Sequence, residues 1–441
     1  MSHQASSSAI QPRNFQLSQK RIFRYWLPLA ASWVLMGCEM PFISGALARL
    51  SEAERTIAAF GVVASLIFTI ESPIVALLST STALARSRQN YHMLRRFTLH
   101  LMIGTTALHL LLGWSPLFDL VVVKAIGVPE SLIEPIQLGL RIIFLWSAAI
   151  AWRRFKQGIL IRYGRTGAVG RGTMARLLSS AGTATILAVY GQLPGIAVAT
   201  LALTAGVLVE ASYAHWAAHE LITNEFSQQP ERGSLDELSY RELVKFHWPL
   251  AASNLLFLLT QPLIGAALSR SPNPVTALAA WPLASGILFI TRAPALALPE
   301  VTIALIDEPD SHKQLKRFSL WVGLACVAAL AALSFTPLAD FYFQTLLGVS
   351  AGLAGIAVTG GRLGLALPMI MAGLSLYRGI LTASRTTLPV TLGMTVELTS
   401  LAAALAIGVL LGAPGVPLAA IAMTIGMGAD MLMLLGALRR S

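Results

Sequence analysis

Charge is what this chain has least of. Only 12% of its 441 residues are Asp, Glu, Lys or Arg, about half the share in an ordinary soluble domain. That deficit excludes a water-facing surface over most of the length. Cysteine is nearly missing too. Cys38 and Cys326 both fall in apolar stretches, which excludes a disulfide framework and a cysteine metal site. There is no GxSxG, no HExxH and no ATPase motif, so neither an enzyme nor a primary pump has support. The stretch TGAVGRGT, 166–173, is Gly-rich but lacks the Lys-Ser/Thr ending of a phosphate-binding loop. It reads as a loop leading into a helix. His215 and His219 stand four apart beside Glu220, yet no third, distant ligand accompanies them, so neither metal nor cofactor is expected. The polar start, MSHQASSSAIQPRNFQLSQ, lacks the short apolar core of a signal peptide.

What is there is apolar: 55% hydrophobic residues and a mean hydropathy of +0.68. Runs long enough to cross a bilayer, about 20 residues each, recur throughout. Twelve spans are expected, near 25–49, 56–84, 97–118, 136–162, 170–190, 195–218, 245–269, 275–305, 318–340, 358–383, 388–411 and 415–437. The basic residues then sort by side. Alternate loops, together with both chain ends, hold most Lys and Arg, while the opposite loops hold only Arg49, Arg55, Lys124 and Arg270. By the positive-inside rule both termini are expected in the cytoplasm. The net charge of +11 is thereby assigned to topology rather than to nucleic acid.

The chain also repeats itself. LPLAAS, 27–32, returns as WPLAAS, 248–253. At the same offset of 221, Pro41 meets Pro262, Arg49 meets Arg270, Pro73 meets Pro294, Gly127-Val128 meets Gly348-Val349, and Arg141 meets Arg362. A one-residue slip then brings Glu210 onto Asp430. Matched Pro, Gly and Arg at one constant offset indicate duplication of a six-span unit. Six is even, so both copies enter the membrane the same way, as parallel repeats about an axis along the membrane normal. The expected division is a tail, 1–24, a first lobe, 25–219, a polar linker, 220–243, a second lobe, 244–437, and a short end, 438–441. Ser234 to Glu237 in the linker has a capping-box pattern. Two such lobes rocking about a cleft are the architecture of alternating-access transporters.

At this point the residues resemble known families. Two six-helix lobes with Pro-bearing first helices resemble the MATE-like flippase superfamily of multidrug and lipid exporters. KFHWPLAASNLLFLLTQPLIGAALSR, 245–270, and AWRRFKQGILIR, 151–162, resemble the seventh and fourth spans of the progressive ankylosis (ANK) proteins. That resemblance implies an exporter of organic or phosphate-bearing anions such as citrate, ATP or pyrophosphate, acting as a secondary transporter in a membrane, on this reading a bacterial inner membrane.

The charges inside the spans carry the available chemistry. A charged residue at mid-bilayer costs about 2.5–3.5 kcal/mol on insertion scales, so each should face a cavity or a partner. Glu71 in the second span matches Arg292 in the eighth; Arg176 in the fifth matches Glu397 in the eleventh. Charge is thus reversed between the copies, and Glu71 and Arg292 are placed either to meet across the cleft or to pair within their own lobes. Arg153, Arg154 and Lys156 in the fourth span, with Arg378 and Arg292, form the expected substrate-binding set, since Arg forks bind carboxylates and phosphates bidentately. Snorkelling to headgroups is the alternative for the fourth-span cluster. Glu39, beside Pro41, and the symmetric acids Glu210 and Asp430 are candidates for ion coupling or for charge pairs, with a proton or sodium ion as the coupling partner. Three functions remain open: an anion exporter, a proton- or sodium-coupled exporter of organic cations, and a flippase for a lipid-linked substrate.

Overall fold

Proline and the repeat shape the fold more than any other feature of the sequence. The computed structural model describes residues 17–226, 238–306, 308–384 and 388–439. Among these residues all regular structure is helical. The first half contains α1 (Gln19–Leu47), α2 (Ala53–Ile70), α3 (Ser72–Val75), α4 (Leu77–Leu84), α5 (Arg88–Trp114), α6 (Glu130–Ile142), α7 (Trp146–Arg162), α8 (Thr166–Tyr190) and α9 (Gly195–Phe226). The second contains α10 (Tyr240–Leu258), α11 (Thr260–Ser269), α12 (Pro274–Arg292), α13 (Leu298–Leu305), α14 (Ser311–Phe335), α15 (Leu338–Asp340), α16 (Ala351–Leu363), α17 (Leu367–Ala383), α18 (Leu388–Leu410) and α19 (Gly415–Leu438).

Among the described residues ten helices are long and apolar enough to span a membrane, and α16 with α17, bent by 48°, makes an eleventh. The twelfth is α8, 25 residues long but carrying Arg171 and Arg176. The protein is therefore an all-α integral membrane protein of twelve helical spans in two repeats. TGAVGRGT, expected as a loop, forms the first two turns of α8. One of its three glycines permits close packing: a Cβ on Gly172 would lie 3.2 Å from the ring of Tyr213 on α9. The Ser234–Glu237 capping pattern lies outside the described residues. The capping box that forms joins Ser239 to Glu242 at the start of α10.

Breaks fall at matched places. The second span stops at Glu71 and resumes as α3; the eighth stops at Arg292 and continues as a 3-10 stretch, Ala293–Ala297. Pro73 and Pro294 follow each break by two residues. Proline removes a backbone donor and clashes with the preceding turn, which accounts for both. The arginines Arg141 and Arg362 are also used alike. Each donates from Nε to a carbonyl on the neighbouring span, Gly113 at 2.9 Å and Ser334 at 2.8 Å, and lies over the next ring, Trp114 or Phe335.

The first helix of each repeat straddles both halves. The early part of α1 holds the second half: Trp26 Nε1 donates to Pro294 O at 2.9 Å, and Gln19 bonds Gln314. The early part of α10 holds the first half, through His247 and Thr80 at 2.9 Å and Tyr240 and His100 at 2.8 Å. Farther along, α1 packs on α8 of its own half and on α12 of the other, and α11 packs on α12 and α19 of its own half and on α2 of the other. The repeated Pro-Leu-Ala-Ala-Ser thus sits in the two helices that bridge the halves.

Candidate functional site

Buried charge gathers in two clusters, one per half. In the first, Glu210 of α9 has no exposed surface. Arg153 of α7 forms an ion pair with it, Gln157 donates at 3.0 Å, Thr173 at 3.2 Å, and Arg176 of α8 stands 3.6 Å away. Arg176 also grips Glu39 of α1 through both nitrogens of its fork, at 2.9 and 2.5 Å. Arg153 and Gln157 are four apart on α7, so they share one face and meet the same carboxylate. This cluster joins α1, α7, α8 and α9.

The second cluster is smaller. Arg378 of α17 forms an ion pair with Asp430 of α19 and lies 3.3 Å from Glu397 of α18. Arg378 occupies the position of Gln157 in the repeat, and Glu397 that of Arg176. The second half thus keeps the buried acid, while the charge at the Arg176 position is reversed and the neutral Gln157 gives way to an arginine. Asp430 is wholly buried, and Gly393 of α18 approaches its carboxylate so closely that no Cβ would fit there.

The other sequence candidates are placed as follows. Lys156 is 2% exposed and sits in an aromatic box, 4.8 Å from the Trp152 ring, 5.1 Å from Tyr91 and 5.2 Å from Phe155, with Nζ donating to the Tyr91 hydroxyl at 3.1 Å. Arg154 has no carboxylate within 4.0 Å among the described residues. Neither has Arg292, whose guanidinium lies 3.7 Å from the sulfur of Met427 and 5.9 Å from the Phe289 ring. Glu71 is buried, and its Oε1 has no hydrogen-bond partner among the described residues. Glu71 and Arg292 occupy equivalent breaks, but among the described residues no hydrogen bond or ion pair joins them. Arg176 and Glu397 likewise find partners within their own halves. His215 accepts the Trp152 indole N–H at 3.2 Å and stacks on that ring. Among the described residues no three His, Cys, Asp or Glu side chains gather as a metal site would require.

Sequence reading did not identify Gln157, Thr173 or Tyr91 as partners in these networks. Gln157 had a signal: it stands at the repeat position of Arg378.

No family model matches the chain, and no curated protein matches it. Solved structures do. The inward-facing conformation of a multidrug resistance MATE family transporter of the MOP superfamily superimposes with a TM-score of 0.70 at 14% identity, over 95% of this chain and 97% of that one. The outward-facing conformation of a multidrug resistance MATE family transporter gives 0.64 at 16% identity, over 96% and 95%. The lipid II flippase MurJ in an inward closed conformation gives 0.71 at 12% identity, over 93% and 87%. The chain shares its overall fold with these three structures.

Proposed function

We propose that this chain is a secondary transporter that exports an organic or phosphate-bearing anion, such as citrate, ATP or pyrophosphate, by alternating access. The two repeats act as rocking lobes, 25–219 and 244–437, with α1 and α10 crossing between them. In this reading the membrane is a bacterial inner membrane and both termini are cytoplasmic, which the basic loops support. The MATE and MurJ likenesses support transport or flipping, and the ANK resemblance supports an anionic cargo.

One observation carries the anion reading. Arg292 is a buried guanidinium at the break of α12, with no carboxylate in reach among the described residues. Such a fork in a low-dielectric setting is a receptor for carboxylate or phosphate oxygens. Arg154, half-buried within α7, also has no carboxylate within 4.0 Å among the described residues. Arg153 and Arg378, by contrast, serve internal acids, and Lys156 is held by aromatic faces. In this reading their part is to fix the helices that carry the cleft, while Arg292 and Arg154 meet substrate.

The test is uptake into proteoliposomes loaded in turn with citrate, ATP, pyrophosphate and a cationic dye. Arg292→Gln should slow anion transport more than tenfold, about 1.4 kcal/mol, within the range for hydrogen bonds to charged groups. Normal anion transport by that variant removes the reading. A second reading rests on Glu71, whose buried carboxyl lacks a cationic partner within 4.0 Å among the described residues. It makes the protein a proton- or sodium-coupled exporter of organic cations. Movement of the dye alone, with loss of pH-gradient dependence in Glu71→Gln, would favour it. Movement of a lipid-linked pyrophosphate instead would point to a flippase.

A further inference from the structure

Two arginines that the duplication singled out, Arg49 and Arg270, take no part in the buried clusters. Arg49 closes α1 and Arg270 closes α11, both at the membrane face away from the chain ends. Each reaches into the other half. Arg49 Nη1 donates to Leu347 O at 2.9 Å and to Gly45 O of its own helix at 2.7 Å; Nη2 donates to Leu346 O at 2.7 Å. Arg270 Nη1 donates to Ile126 O at 2.6 Å and to Ala266 O at 2.7 Å; Nη2 donates to Ala125 O at 2.9 Å. Every acceptor of one arginine is the 221-residue partner of an acceptor of the other.

The acceptors in the opposite half sit at the ends of two π-helical stretches, Asp119–Ile126 and Phe341–Leu346: Ala125 and Ile126 close the first, Leu346 closes the second and Leu347 follows it. Helix ends leave such carbonyls without intrahelical partners and carry partial negative charge. A guanidinium from the opposite half supplies both the donors and the charge. The next residues, Gly127 and Gly348, have φ of +76° and +71°. A Cβ on either would lie 3.2 Å from the guanidinium beside it, so glycine there serves backbone and arginine together.

We infer that Arg49 and Arg270 form a symmetric double latch that holds the two lobes together on this face and must release before the face can open. The inference rests on the alternating-access reading. It adds the contact that the moving lobes break. Four interlobe hydrogen bonds, all to main-chain carbonyls, are lost without stranding a charged partner. The arginines are exposed at the surface, so water takes over their donors as the lobes part. A buried ion pair would resist that separation far more. Such a latch is built to let go.

The test reads lobe separation directly. With Cys38→Ser and Cys326→Ser as background, spin labels at Ser131→Cys and Gly352→Cys mark the exposed starts of α6 and α16 in the two halves. Distance distributions by pulsed electron resonance are compared with and without Arg49→Lys and Arg270→Lys. Lysine keeps the charge but has no fork to hold its own helix and the opposite carbonyls together. The double variant should populate longer distances at least tenfold more than the parent. The two single variants should give equal, smaller shifts, because the sites are equivalent. An unchanged distribution in a folded double variant overturns the latch, even if transport is intact. Longer distances in a variant and parent that transport none of the probes uphold the latch and remove the transport reading instead.

Discussion

In the first half, the buried acid Glu210 is held by Arg153, Gln157, Thr173 and the nearby Arg176; in the second, its counterpart Asp430 is held by Arg378. The helix frame is the same, and the wiring differs. Arg176 extends the first network to Glu39 on α1, so the straddling helix is tied to its own lobe by an ion pair. The repeat partner of Glu39 is Thr260, and that of Arg176 is Glu397. No ion pair therefore ties α11 into the second cluster among the described residues. The two frames bury polar groups in the same places but with different charges: two arginines meet two acids in the first cluster, and one arginine meets two acids in the second. The first half has become the one in which a change of charge would be felt by a crossing helix.

The comparison breaks most visibly at the two acids. Glu210→Ala strands Arg153 and leaves Arg176 with Glu39 alone. Removing one partner of a buried pair costs about 3–5 kcal/mol, and guanidinium cannot shed its charge. Asp430→Ala should cost less, about 1–3 kcal/mol, because Arg378 keeps Glu397. Thermal unfolding in detergent, followed by loss of monodisperse protein, ranks the two. Equal losses would mean that the richer network adds nothing.

A finer probe is a double-mutant cycle on Glu39→Gln and Arg176→Gln. Residues sharing a hydrogen-bonded network couple by about 0.5–3 kcal/mol, and the bidentate geometry argues for the upper part. A coupling near zero would detach α1 from the cluster. The smallest effect is expected at Arg165→Ala, whose 3.3 Å pair with Glu220 is exposed on both sides. Exposed pairs contribute about 0–1 kcal/mol. A larger loss there would show that solvent exposure, rather than network membership, had been misjudged.

The duplication was legible because Pro, Gly and Arg recurred at one offset. Those residue types mark backbone constraint, and the constraint survives when side-chain identity does not. The breaks after Glu71 and Arg292 were not read from the sequence, although Pro73 and Pro294, which cause them, were matched. The partners in the clusters were not legible. Arg153 and Glu210 are 57 residues apart, on helices that meet only through packing, and no short spacing announces such a pair. The match of Arg49 with Arg270 was visible, but its purpose was not, since carbonyl acceptors have no residue identity. TGAVGRGT was misread because glycine signals loops in water, whereas between membrane helices it permits close approach.

The crossing of α1 also bears on how the protein is made. Trp26 finds its carbonyl at Pro294, 268 residues later, and Gln19 finds Gln314 after 295. At synthesis rates of about 5–20 residues per second, the first helix waits on the order of ten seconds to a minute before its partners emerge. Until then the leading end of α1 has no surface to settle on, and the nascent first repeat remains unfinished in the bilayer. Biogenesis of this protein is therefore a matter of completion by the last-made half.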